Sequence, residues 1–283
     1  MIATNDLRAQ ALRAADMLPV VAGVLQRTLQ LFLQHDDLSV AQLSSSIEQD
    51  VVMAASILAI ANSAMYGGRS PIASVRPAVA RLGINKTRNV LLGMSVTRAF
   101  KKIKVPTQWS LAQFNAHSLA AATLSDLIAR NVRSEDPEWA FMAGLLHDIG
   151  LLIIATGLPD QFEILLRQTG GDVGLVEQER ELLGFTHFEL GAELISRWNC
   201  PIPVQEAAQF CQRSTFAFDQ PLTLGAVVKS ATLIADSQKI SNFKSSTHDE
   251  DVTNELLEAL EIAKPGQFLA AFQSNYNELQ ICA

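Results

Sequence analysis

The sequence predicts an all-α protein, a multi-helix bundle with an N-terminal helical subdomain. Apolar residues recur at the three- and four-residue spacing of a helix face through most of the 283 residues, and no stretch alternates apolar with polar as a half-buried strand would. Helix punctuation is frequent: Ser, Thr, Asp or Asn ahead of apolar runs, Pro in first turns, Gly at the ends. A chain that is 48% hydrophobic and 18% charged also has ample material for a sizeable core.

Leu18, Val21, Val24, Leu25, Leu29 and Phe32 form the first helical stripe. Ser39 and Gln42 then form a capping-box pair ahead of Leu43 and Ile47. Residues 51–64 make a nearly all-apolar helix, expected to lie buried, which Gly67-Gly68 and Ser70-Pro71 end. Ser74 with Pro77 opens a short helix that Gly83 closes, and Asn85 is expected to cap the next, running towards Lys101. Val105-Pro106 breaks the chain and divides residues 1–105 from residues 106–240, since a residue before proline is pushed out of helical geometry. A long helix from 107 or 108 to about 131 carries His117. Asp136-Pro137 supplies an N-cap and a first-turn proline for the helix bearing His147-Asp148. Further helices are expected near 159–168, 175–183, 185–198, 204–213 and 222–240. In the C-terminal part, 241–283, residues 241–250 read as a surface loop and two short amphipathic helices flank Pro265-Gly266.

Composition narrows the class. Cys200, Cys211 and Cys282 form no CxxC pair, which argues against a disulfide scaffold or a thiolate zinc site and for a reducing compartment. Asp6 and Arg8 interrupt the N-terminus where a secretory signal would be apolar, so a cytoplasmic protein is expected. The uncharged run worth testing as a membrane span, 51–68, contains Ser56, Asn62, Ser63 and two glycines, and reads as a core helix rather than a span. The net charge of -7 is unevenly distributed. Residues 51–125 contain no Asp or Glu and nine cations, so all 29 acids share the rest of the chain with 13 of the 22 bases. Arg98, Lys101 and Lys102 in this basic stretch are the expected contacts for a protein partner or an anion. The opposing expectation is a solvated face whose cations pair with acids elsewhere in the chain. Nucleic-acid binding is disfavoured, because only Phe100 lies among the cations and the chain as a whole is acidic.

The chemistry-bearing residues are His147 and Asp148, in the segment GLLHDIG, with His117 thirty residues before and His187 forty after. Neutral imidazole and carboxylate together suit a divalent transition metal such as Fe, Mn, Zn or Ni. Adjacent residues on a helix point about 100° apart, so His147 and Asp148 can serve one ion only from a helix end or through side-chain reach. His147 shares a stripe with Ala140, Ala143 and Gly144. His117 lies with Ala120, Ala121 and Leu124, and His187 with Leu190, Gly191 and Leu194. His147 and His187 are expected to point inward, and His117, whose stripe also includes Ser110 and Gln113 and is a mixed face, is expected within reach of the same place. Asp236 shares its stripe with Gly225, Lys229 and Thr232, which suits a solvated face as well as a metal-facing one. In a site without an ion, the Lys229 ammonium is placed to take the cation's position electrostatically. For Gly144 and Gly150 close helix packing is the simplest role, and for Cys200 and Cys211 a place in the core.

Taken together, LPVVAGVL (18–25), ANSAMYG (61–67), AVARLG (78–83), GLLHDIG (144–150) and HFELGAELISRWNCP (187–201) make the chain resemble the HDOD family over roughly residues 15–240. HDOD proteins are a branch of the HD-domain superfamily, related to the HD-GYP phosphodiesterases and found in bacterial signalling proteins. The resemblance implies a helical N-terminal part packed on an HD-like bundle. It also implies a single-metal pattern of His117, His147, Asp148 and Asp236, with His187 as an extra ligand or neighbour. Three departures count against full catalytic equipment. Leu151 stands where metal-dependent relatives often carry a lysine, Cys211 and Gln212 stand about where HD-GYP relatives have a His-His pair, and no GYP tripeptide occurs. The expected function is therefore a regulatory or interaction module in a signalling pathway with a degenerate HD metal site. The alternative is a single-metal phosphohydrolase.

Overall fold

A computed structural model describes residues 4–16, 39–63, 66, 70–101, 103–170, 174–213, 215–243 and 250–282. Among them every regular element is helical, and the sole β feature is an isolated bridge between Ser134 and Leu222. The expected stripe from Leu18 to Phe32 and the Gly67-Gly68 stop lie outside the described residues.

Helix α1 (Thr4–Asp16) is followed by α2 (Val40–Ile47), which opens with the expected reciprocal capping box of Ser39 and Gln42. In α3 (Val51–Ala61) the Asp50 carboxylate accepts from the amides of Val52 and Met53. This helix is not wholly buried as its composition suggested. Met53, Ile57 and Ile60 face the core, while Val51 is 82% and Val52 53% exposed. Hydropathy that is uniform around a helix carries no information about which side meets a neighbour.

Gly83, at φ +82°, both ends α4 (Val75–Leu82) and starts α5 (Ile84–Phe100), so Asn85 is not the cap. The Thr87 hydroxyl satisfies the Gly83 carbonyl at 2.8 Å. The chain is non-helical around Pro106 before α6 (Leu111–Asn131), whose N-cap is Ser110. Asp136 adopts a left-handed conformation and makes no side-chain cap, and Pro137–Trp139 is a single 3₁₀ turn.

One helix was expected beyond this point and two form, α7 (Ala140–Leu146) and α8 (Ile149–Gly157), with His147 and Asp148 at the break. The run Pro137–Gly157 is long and apolar enough to cross a membrane by length and composition, yet 94% of its apolar window is buried inside the protein. It is the core strut of this fold. The order continues with α9 (Pro159–Thr169), α10 (Leu175–Leu182), α11 (His187–Arg197), α12 (Ile202–Phe210), α13 (Leu224–Ser237), α14 (Glu250–Ala259) and α15 (Pro265–Cys282). The last is an 18-residue helix rather than a short one.

Packing follows two groupings. Helices α2, α3 and α4 pack on one another, and α5 joins them to the rest. The larger grouping sets α7 against α6 and α13, α11 against α8 and α12, and α12 against α13. Chain ends close over it: α1 lies on α8, where the Gly157 backbone approaches Ala11, and α15 lies on α6 and α5.

Candidate metal centre

The break between α7 and α8 resolves the problem that two adjacent helical side chains diverge. Asp148 leaves helical geometry (φ -105°, ψ 14°), and its carboxylate swings back beside the preceding ring, with His147 Nε2 3.0 Å from Asp148 Oδ2. The glycines that flank the doublet bring in the helices bearing the other histidines. A Cβ at Gly144 would lie 2.7 Å from the Ala121 carbonyl oxygen on α6, the helix of His117. A Cβ at Gly150 would lie 1.8 Å from the carbonyl oxygen of His187, the first residue of α11. Their packing role is thus observed, and it is what assembles the centre.

Three imidazoles surround one carboxylate. His117 Nε2 is 3.8 Å from Asp148 Oδ2, and His187 Nε2 is 3.8 Å from Asp148 Oδ1. The ligand atoms of His117, His147 and Asp148 all lie within 4.8 Å of one another, and all three residues are buried. The opposite ring nitrogens are committed to the protein. His117 Nδ1 bonds the Ile240 carbonyl at 2.7 Å, His147 Nδ1 the Gly144 carbonyl at 2.8 Å, and His187 Nδ1 the Glu179 carboxylate at 2.8 Å. A carbonyl can only accept, so Nδ1 of His117 and of His147 carries a proton, and each Nε2 is the ring nitrogen turned towards Asp148.

Burial opposes the ionisation of Asp148. The charges of His147, His187 and His117 outweigh it and hold the carboxyl well below the usual carboxylate range. Burial likewise opposes protonation of His187, but the Glu179 carboxylate beside it outweighs that and makes the ring more basic.

Two groups at this centre were not foreseen. Glu179 is fully buried, and its carboxylate also accepts the His187 backbone amide at 2.9 Å. A signal existed: Leu175, Glu179 and Leu183 follow at four-residue spacing, placing an acid on the apolar stripe of an amphipathic helix. Asn242 had no such signal. It lies in the segment expected to be a surface loop, yet it is 4% exposed and its Nδ2 donates to Asp148 Oδ2.

A cavity of about 230 Å³ opens beside the cluster. Lys229 lines it and donates to the Cys211 carbonyl at 3.0 Å, so it faces the site rather than solvent. Arg213 lines the same cavity, with its guanidinium 4.7 Å from the Phe210 ring centre. Asp236 also lines it, but its Oδ1 lies 3.5 Å from His117 Nδ1, on the far side of that ring from Asp148, and its side chain is 37% exposed. Arg98 and Lys101 do not line it. Arg98 is ion-paired with Asp50 at 2.9 Å, Lys86 with Glu278 at 3.2 Å, and Lys101 is exposed. Lys102 is outside the described residues.

The donor chemistry and spacing fit a single transition metal. Such ions bind imidazole and carboxylate at roughly 2.0–2.2 Å. Donors on neighbouring coordination positions then stand about 3.0–3.5 Å apart; the 3.0 Å from His147 Nε2 to Asp148 lies in that range, and the 3.8 Å separations of His117 and His187 lie just above it. Backbone carbonyls and a carboxylate behind the rings are the usual supports of ligating histidines.

The family model for the HDOD domain matches residues 18–214. This chain belongs to the HDOD domain family. Among solved HDOD-like folds, a Shewanella amazonensis protein named as a candidate phosphohydrolase superposes with a TM-score of 0.73 at 24% identity, covering 97% of this chain and 98% of its own. An HDOD domain protein of unknown function from Geobacter sulfurreducens gives 0.70 at 22% identity, covering 91% and 89%. A candidate signal transduction protein from Marinobacter aquaeolei gives 0.66 at 20% identity. An uncharacterized Treponema pallidum protein is 24% identical over 221 residues, 73% of this chain. This chain spans 40% of that relative's length and 58% of the Marinobacter protein's. At these identities the likeness concerns the fold.

Proposed function

We propose that this HDOD protein is a regulatory, partner-binding module of a signalling pathway whose HD pocket holds one divalent transition metal ion. His117, His147 and Asp148 would hold the ion, His187 would stand as a fourth donor, and Asp236 would act on the outer side of His117. The carrying observation is the commitment of Nδ1 on His117 and His147 to backbone carbonyls, which leaves both Nε2 atoms turned towards the Asp148 carboxylate as the available donors. A second ion finds little support, because the cavity offers a buried Cys211 thiol and the Gln212 amide where two further imidazoles would serve. Fe, Mn, Zn and Ni all suit the donor set.

A specific observation favours a second reading, a single-metal phosphohydrolase. Lys229 and Arg213 bring two cations to the same cavity. A bound divalent ion supplies Lewis acidity and lowers the pKa of a coordinated water. The chain's own residues would orient the reactants: His117 and His147 through their carbonyl-fixed rings, Lys229 and Arg213 by attracting an anionic group into the cavity. For the partner surface, Lys101 is exposed, as are Arg76 and Lys104 of the basic stretch, whereas Arg98 already serves Asp50.

Elemental analysis of the purified protein tests the metal reading. About one equivalent of ion per chain is expected, lost in His147→Ala, and wild-type protein that retains no ion after supply of Mn, Fe, Zn or Ni overturns it. Hydrolysis of a model phosphoester by the loaded protein, abolished in His147→Ala, would transfer the conclusion to the second reading. Charge reversal at Lys101 should weaken capture of a signalling partner identified by crosslinking, and undiminished binding removes that surface from the account.

A further inference from the structure

We propose that Asn242 is part of the metal centre itself, its carbonyl oxygen facing the bound ion or a ligand on it while its amide nitrogen holds Asp148. The inference rests on the single-metal reading above.

Three observations carry it. The Asn242 side chain lines the site cavity and is 4% exposed. Its Nδ2 donates to Asp148 Oδ2, the oxygen that His147 and His117 also face. Its Oδ1 is buried without any hydrogen-bond partner. The amide cannot be turned the other way, since a carbonyl set against a carboxylate repels, so Oδ1 is necessarily the orphan. A buried acceptor with no donor is costly, and proteins rarely leave one unless something else satisfies it. An amide oxygen is a neutral ligand for a divalent ion and equally an acceptor for a metal-bound water. Either use would satisfy Oδ1, and no protein donor does.

Position in the chain strengthens the case. Two residues earlier the Ile240 carbonyl holds His117 Nδ1, so the short segment after α13 touches two members of the cluster at once. No other residue of the 240–243 segment leaves a buried side-chain polar atom unpartnered.

The test titrates Mn(II) into metal-free full-length protein and counts free ion by its electron paramagnetic resonance signal, for wild type, Asn242→Leu and Asn242→Asp. Circular dichroism checks folding, and Asn242→Ala replaces the leucine variant if that fails to fold. Asn242→Leu should weaken Mn(II) binding by about tenfold or more, the usual cost of disturbing a metal-site support. Asn242→Asp keeps an oxygen at Oδ1 and loses the amide donor, so it should bind at least as tightly as wild type. If the Asp variant weakens along with the Leu variant, Asn242 only holds Asp148 and the proposal fails. Equal binding by all three forms also overturns it. Wild-type protein that binds no Mn(II), Zn(II) or Fe(II) removes the single-metal reading and this inference with it, a result distinct from either failure above.

Discussion

Replacing Gly150 with alanine tests how the candidate centre is assembled. The added Cβ would sit 1.8 Å from the His187 carbonyl oxygen, 2.6 Å from the His187 carbonyl carbon and 3.0 Å from the Gly191 amide nitrogen. All three are backbone atoms of α11, so no side-chain rotation relieves the overlap. To bring the first contact from 1.8 Å to an ordinary 3.4 Å, α8 and α11 must part by about 1.6 Å. Overpacking a core costs about 1–3 kcal/mol, and a clash against backbone belongs at the upper end. With about 2–4 °C of melting temperature per kcal/mol for a chain of this size, a fall of about 6–12 °C is expected in a thermal melt followed by circular dichroism. The same separation carries His187 away from Asp148, so metal affinity should fall with stability. Gly266→Ala, where a Cβ meets nothing within 4 Å, is the control and should melt within about 1 °C of wild type. A Gly150→Ala protein that melts like the control would refute the argument that this close approach holds the doublet against α11.

Other outcomes follow from the same geometry. Glu179→Gln removes the buried carboxylate behind His187, and should weaken metal binding by about 10- to 100-fold in a competition assay, whereas an unchanged constant would show that His187 needs no orienting charge. Asp236→Asn should leave metal stoichiometry intact, because its carboxylate lies beside His117 Nδ1 rather than Nε2, and loss of the ion would place it in direct coordination. Asp50→Ala removes the carboxylate oxygen that accepts from two amides at the start of α3, together with the Arg98 ion pair, and should cost about 1–2 kcal/mol in denaturant unfolding. Arg98→Ala, losing only the partly exposed pair, should cost less than about 1 kcal/mol. Burial pushes the Cys200 and Cys211 thiols up to about 12, so neither should react with a disulfide reagent at pH 8 until the protein unfolds, and modification of either residue in a native Cys282→Ser protein would contradict their placement.

Much of the helix order was legible because its signals are local. The Ser39–Gln42 capping box and the starts of α6 and α11 depend on residues within one turn of each other, and periodicity finds them. The same reasoning misjudged α3, since an all-apolar helix does not declare a buried side, and it ran α7 and α8 together, since the glycines of FMAGLLHDIGLL weaken a helix without marking where it stops. That break comes from packing: Gly144 against α6 and Gly150 against α11 leave His147 and Asp148 at a turn.

For the centre, stripe position put His147 and His187 inside, because a side chain's face is set by its spacing from apolar neighbours, whereas the mixed face of His117 left it only within reach and folding buried it. Which nitrogen each ring presents, and what stands behind it, depends on Gly144, Glu179 and Ile240, whose distances in sequence from their histidines range from 3 to 123 residues. Asn242 is 94 residues from Asp148 and belongs to a segment with no periodic signal at all. The basic stretch divides in the same way. Its composition is a property of sequence, whereas the pairing of Arg98 with Asp50 and of Lys86 with Glu278 needed the chain to be folded. Local pattern thus determined the all-α class, the helix starts and the inward faces. Tertiary contact decided the break at the doublet, the orientation of the three rings and the arrival of Asn242, because those rest on groups that only folding brings within hydrogen-bond reach.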